Sequence, residues 1–307
     1  MLFCGVSSPH RPLVASGQTL YNNACEKVSQ EETMFPLSHQ KRVTSVYHLG
    51  ETILAQVTEL STRSEILAQI WVNPQTFKIQ RAHWEVLRSD GRLSTKSGDV
   101  PSLRGIEAYF GCGKPFRRAL AVYPQAATEL FLENASALIQ AETFIHKERG
   151  YSSLEAYVDY WKEFYLGSCR YYSHLDTVQR SWGDYVSARL PGTNLFNRFK
   201  TLALDRCADG FSLRASMSDS FHEMSCTLRL DPAGESIHDA AGAIIRAPDQ
   251  VCPEAATFIG QLTGRHLPST GRGEVAALLG QGQGCVHLIE LVNEAVTFTL
   301  ASLERLR

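Results

Sequence analysis

The chain has 307 residues, 44% of them hydrophobic, with 30 basic against 32 acidic side chains and a formal net charge of −2. That length allows about two ordinary domains, and the apolar fraction is enough to fill their cores. A charge this close to balance offers no footprint for nucleic acid, and no window of about 18 apolar residues is expected to span a membrane.

Residues 1–40 are polar and irregular and read as an N-terminal arm. The start Met1-Leu2-Phe3-Cys4-Gly5 lacks the basic residues and apolar core of a signal peptide, so a cytoplasmic location is expected. Residues 41–150 alternate in the manner of strands near 44–49, 53–60, 65–73 and 77–88, followed by helices near 102–111 and 125–147. A polar loop from Ser89 to Gly98 separates strands from helices. Residues 151–194 form a helical connector carrying Tyr157, Tyr160, Trp161, Phe164 and Tyr165 at helical spacings, which reads as an inter-domain packing face rather than a ligand pocket. Residues 195–307 return to strands near 198–205, 210–217, 222–231 and 236–246, then helices near 253–264, 273–280 and 285–305. Strands followed by helices indicate an α+β fold, with helices on one face of an antiparallel sheet.

The two strand-and-helix segments resemble each other. Ile66 to Arg88 and Met224 to Arg246 align without a gap at an offset of 158, setting Asn73-Pro74 on Asp231-Pro232, Ile79 on Ile237 and Arg88 on Arg246. Val100-Pro101 then lies against Cys252-Pro253, and Asn134-Ala135-Ser136-Ala137-Leu138-Ile139 against Gly284-Cys285-Val286-His287-Leu288-Ile289, at an offset of 150. A tandem repeat is therefore expected, 41–150 being a degenerate first copy and 195–307 a second copy that keeps metal-ligand side chains.

The candidate site follows from what only the second copy keeps. Cys252 precedes Pro253 at a helix start, where the dipole and free amides favour thiolate. Cys285 opens the last helix by the same argument. His287 lies two residues on, which in a regular helix turns it about 200° from Cys285, so both would not face one ion. His222 opens a strand and falls on Ser64 of the first copy. The other cysteines, at 4, 25, 112, 169, 207 and 226, show no CxxC spacing and read as reduced thiols, Cys226 as core, with Cys169 and Cys207 carrying no signal.

These residues are similar to an uncharacterised bacterial family with His-Asp-Met before a strand, Cys-Pro before a helix and Gly-Cys-x-His-Leu at the last helix. Here the motifs read His222-Glu223-Met224, Cys252-Pro253 and Gly284-Cys285-Val286-His287-Leu288. More remotely, strand order and cysteine placement resemble the NifU/IscU/SufE type of iron–sulfur assembly scaffold, which implies ligands at the sheet edge and at two helix starts. Ser220 stands where that scaffold has its first cysteine, and His287 follows the last cysteine instead of preceding it.

Two thiolates with one or two imidazoles suit Zn²⁺ or Fe, or an iron–sulfur cluster of mixed ligation. The leading expectation is a non-catalytic or weakly catalytic metal or iron–sulfur binding protein, with metallocofactor assembly as its candidate role, that uses Cys252, Cys285, His222 and His287. Two alternatives remain open. One is a cysteine-based sulfur or acyl carrier with His287 or His222 moving the proton. The other is an interaction subunit that holds a protein partner, or a second copy as a homodimer, on its aromatic helices. Gly280-Gln281-Gly282-Gln283-Gly284 lacks the preceding strand and lysine of a phosphate-binding loop.

Overall fold

Period-two burial builds the strands. In β3 (Glu65–Val72), Ile66, Ala68, Ile70 and Val72 point into the core while the residues between them stay partly exposed. β8 (Glu223–Leu230) repeats the pattern with Met224, Cys226, Leu228 and Leu230. A computed structural model describes residues 34–91, 97–187 and 192–306. It forms one nine-stranded antiparallel sheet in the order β5-β4-β3-β2-β1-β6-β7-β8-β9. The remaining strands are β1 (Phe35–His48), β2 (Ile53–Ser61), β4 (Ile79–Arg88), β5 (Gly98–Asp99), β6 (Asn194–Cys207), β7 (Gly210–Asp219) and β9 (Ile237–Arg246). The mixed α/β class with antiparallel strands is therefore as read from the sequence.

The halves meet along β1 and β6, which pair antiparallel with Val43 opposite Phe199. Each half keeps its own apolar cluster, one around Trp84 and Phe131, the other around Leu213 and Leu291. Helix α1 (Gly113–Ala119) and the long α2 (Gln125–Ala141) belong to the first cluster; α6 (Arg272–Leu279) and the long α7 (Val286–Leu303) belong to the second. Helix α2 packs on β1, β2 and β3, and α7 on β6, β7 and β8. Between the two long helices, charges are buried in the core. Lys200 binds Glu133 of α2 and Glu294 of α7, each at 2.7 Å, while Arg42 reaches Glu59 at 2.7 Å and Glu294 at 3.4 Å.

The two hairpins agree in detail. β3–β4 shifts register between Glu65/Ile66 and Trp71/Val72, and β8–β9 between Glu223/Met224 and Arg229/Leu230. Arg88 Nη2 donates to the carbonyls of Ser61 and Ser64 at 2.6 and 3.2 Å; Arg246 Nη2 donates to those of Asp219 and His222 at 2.6 and 3.1 Å.

Several expectations are corrected. β1 begins at Phe35, so the arm assigned to 1–40 gives up its last residues to a strand edge against β6. In place of a helix over 102–111 there is one 3₁₀ turn at Pro101–Leu103, because Gly105 and Gly111 take positive φ of 82° and 79° and break the run. The helix expected over 253–264 is a 3₁₀ helix, Cys252–Leu262. The pairing of Ala135 with Cys285 also fails. Ala135 sits inside α2, buried against the sheet, whereas Cys285 lies outside α7 as its N-cap. Finally, α7 is long and apolar enough by composition to cross a membrane, contrary to the reading above, but its apolar side chains Leu288, Leu291, Val292 and Val296 are core contacts of the second cluster. Cys4, Cys25 and part of the Ser89–Gly98 loop lie outside the described residues.

The connector supplies α3 (Leu154–Phe164), α4 (Arg170–Ser173) and α5 (Trp182–Ser187). It folds over the second half. Arg170 N–H donates to Gly284 O at 2.8 Å, and the amides of Gln179 and Arg180 donate to Asp249 Oδ2 at 2.9 and 2.7 Å.

Candidate metal centre

The β7–β8 turn is short and needs an internal acceptor, which Asp219 provides. Its Oδ1 accepts the backbone N–H of Phe221 at 2.8 Å and of His222 at 2.7 Å, and lies 3.2 Å from His222 Nδ1. Its Oδ2 accepts Nε and Nη2 of fully buried Arg198 at 3.2 and 3.0 Å. Burial alone would raise the Asp219 carboxyl, but His222 and Arg198 outweigh it and hold the group well below the usual carboxylate range. An ionised carboxylate can only accept, so at this contact His222 Nδ1 is the donor.

A second imidazole lies beside His222. The His222 and His287 rings lie 4.1 Å apart between centroids. Burial, then the positive neighbours His222 and Arg198, pushes His287 well below the ordinary histidine value, leaving it neutral and able to donate a lone pair. One ligand atom each from Asp219, His222 and His287 falls within 4.8 Å of the others.

His287 reaches this point because of how α7 starts. Cys285 has extended dihedrals (φ −115°, ψ 122°), so the 200° helical separation expected between it and His287 does not apply. Both line one cavity, as do His222 and Cys252. All four residues expected from the sequence are thus brought to one place, although the two cysteines stand apart from the compact Asp219–His222–His287 group. Gly284 fixes this start. A Cβ there would sit 1.5 Å from Leu279 O, a backbone atom that cannot swing away. Gly284→Ala is expected to cost at least about 2 kcal/mol in urea unfolding and to move Cys285 and His287 together. A fully stable variant with an unchanged near-ultraviolet spectrum would contradict this.

The thiols are not the activated ones expected from helix starts. Burial pushes Cys252 up to about 11 and Cys285 up to about 12. Desolvation outweighs the amides because both sulfurs are enclosed, and Cys252 opens a 3₁₀ helix with a weaker aligned dipole. Cys252 in native protein should accordingly react with iodoacetamide at pH 7.5 at least about tenfold slower than free cysteine, the rate rising as pH approaches 11. Fast, selective labelling of Cys252 by mass spectrometry at neutral pH would restore the activated-thiol reading.

Sequence reasoning missed four participants. Asp219 was detectable as an acid three residues before the histidine. Arg198 and Lys200 fall on the core-facing alternation of β6 with Phe196, Leu202 and Leu204, where two cations are anomalous. Cys169, assigned no role, lines the same cavity from the connector. The aromatic stripe splits: Tyr157, Trp161 and Tyr165 wall the cavity, while Tyr160 and Phe164 are exposed.

Fold and site together define a mixed α/β protein with an Asp/His group buried beneath a helical cover. Residues 204–300, about a third of the chain, match the model of a family described as protein of unknown function (DUF2889). Comparison with curated proteins and with solved structures gave no match, so the NifU/IscU likeness has no neighbour behind it.

Proposed function

We propose that this protein binds a divalent transition metal, Zn²⁺ or Fe²⁺, through His222 and His287, with Asp219 orienting His222. The observation that carries the reading is the convergence of one carboxylate and two imidazoles within 4.8 Å, one imidazole neutral and the other held by a carboxylate. The donor set fits such an ion. Nitrogen ligands on one tetrahedral metal lie about 3.3 Å apart, inside the 4.8 Å that spans this group. A carboxylate behind a ligating imidazole is the usual supporting arrangement. The metal would supply Lewis acidity toward whatever occupies the cavity. Cys285 and Cys252, which line the same cavity, are soft groups that could complete its shell.

A second reading, an iron–sulfur cluster of mixed ligation, draws on Cys169, Cys252 and Cys285 lining the cavity of His222 and His287. Protein purified without oxygen should contain about one metal per chain by elemental analysis, colourless for zinc. Visible absorption with inorganic sulfide would favour the cluster, and protein that stays metal-free after reconstitution with Zn²⁺ and Fe²⁺ would sink both.

We also propose that the chain arose by duplication, supported by the matching register shifts and arginine braces of the two hairpins. Glu133 and Glu294, which both hold Lys200, then correspond. That register sets Pro124 against Cys285 and Ala126 against His287, while Ser61 and Ser64 stand against Asp219 and His222. The first copy lacks every ligand.

A further inference from the structure

We infer that the cavity beside His222 and His287 is a binding site for a small uncharged aromatic molecule bearing an oxygen, of the phenol class. This deepens the metal reading by naming what enters beside the ion, and rests on it only for the direction of the oxygen.

Size comes first. The cavity is about 120 Å³, and an engineered apolar cavity of about 150 Å³ is known to take benzene, so a single ring is the scale of ligand. Shape comes next. Trp161 and Tyr165 stack at 4.6 Å and 17°, and Tyr165 and Tyr172 at 5.3 Å and 21°, giving a wall of near-parallel rings. Such a wall favours a flat occupant over a puckered one of equal volume.

Charge and hydrogen bonding complete the description. The charged lining residue is Arg170, whose guanidinium is engaged by Val251 O, Gln283 and Glu254. With that guanidinium engaged, no lysine or arginine on the described wall is left to hold a carboxylate. Meanwhile the hydroxyls of Tyr157, Tyr165 and Tyr172 form no hydrogen bond with the described residues, although Tyr157 is only 2% exposed. Burial keeps all three protonated at any physiological pH. The indole N–H of Trp161, on the same wall, is buried with no hydrogen-bond partner among the described residues, and an oxygen on the ligand provides one. The connector that carries these tyrosines contributes nothing to the sheet, and its helices α3 and α4 instead form the cavity wall.

Two tryptophans, Trp161 and Trp182, line the cavity and report occupancy by fluorescence. Full-length protein is titrated with phenol, cyclohexanol and benzoate, once with Zn²⁺ and once after chelation. Phenol should bind saturably below about 1 mM in both states. Cyclohexanol, of similar size but puckered, and benzoate, planar but charged, should each bind at least tenfold more weakly. Tyr172→Phe should weaken phenol severalfold while leaving benzene unchanged. Phenol binding without any metal uptake would leave this inference standing and remove the metal reading alone. No saturable phenol binding in either state, or equal binding of all three compounds, overturns the inference whether or not a metal binds, and the wild-type titrations decide the matter even if Tyr172→Phe fails to fold.

Discussion

Replacing His287 with alanine should reduce Zn²⁺ affinity by at least about 100-fold, with thermal stability changed far less. In the proposed site His287 is one of two imidazole donors, and its loss leaves a single histidine with a carboxylate that Arg198 and two backbone amides already occupy. His222→Ala should do the same. Asp219→Asn should cost less, about 10- to 100-fold, because a supporting carboxylate tunes a ligand without contributing a bond. The order of effects separates the roles. If Asp219→Asn empties the site as thoroughly as His287→Ala, Asp219 is itself a ligand. If Cys252→Ser or Cys285→Ser does so while His287→Ala does not, the thiols hold the metal and the imidazoles do not. Equilibrium dialysis with elemental analysis, alongside circular dichroism of each variant, makes the comparison.

Arg198→Met should destabilise the protein by about 3–5 kcal/mol at pH 7, a fall in Tm of roughly 10 °C. Arg198 is fully buried and reaches Asp219 at 3.0 Å and Glu133 at 3.2 Å, so its removal leaves two buried carboxylates short of a counter-charge. Glu133 is the informative one. Burial would raise it, but Lys200, Arg198 and Arg42 together hold it well below the usual carboxylate range. A folded-state value below the unfolded one means that its stabilisation is complete above about pH 5 and is lost as pH falls through about 4 and lower. The wild type should therefore weaken on acidification in that window. In the Arg198→Met variant the loss should be smaller, and adding Glu133→Gln should recover part of the stability at pH 7. A cost under about 1 kcal/mol at pH 7, measured by urea unfolding, would contradict the account. Because Arg198 also clamps Asp219, the same variant should loosen His222, linking the buried charges to the candidate site.

Much of this was legible along the chain. Alternation of Ile66, Ala68 and Ile70, and of Met224, Cys226 and Leu228, located the strands, since strand burial is a local, period-two property. The hairpin correspondence was legible for the same reason: Asn73 and Asp231 each accept backbone amides in the turn, at 3.0 Å from Thr76 and 2.8 Å from Glu235. The helices were harder. The 150-residue offset was drawn from a shared Leu-Ile pair, a short apolar match that recurs on any core helix, and it set Cys285, an N-cap, against Ala135 inside α2.

His222, Cys252, Cys285 and His287 were chosen from the sequence because these residue types bind metals and the first copy lacks them, and side-chain chemistry is written in the residue itself. What the tertiary structure alone decided was their surroundings. Only the fold sets His222 against Asp219 across a tight turn, swings Cys285 out of the helix so that His287 can face inward, and lays the connector's tyrosines over both. Those outcomes depend on contacts between residues far apart in the chain, such as Arg170 with Gly284 and Arg198 with Glu133. Burial then reversed the one electronic expectation: a cysteine at a helix start reads as thiolate, but enclosure between sheet and connector keeps Cys252 and Cys285 protonated, because removing water costs a charge more than a few amides return.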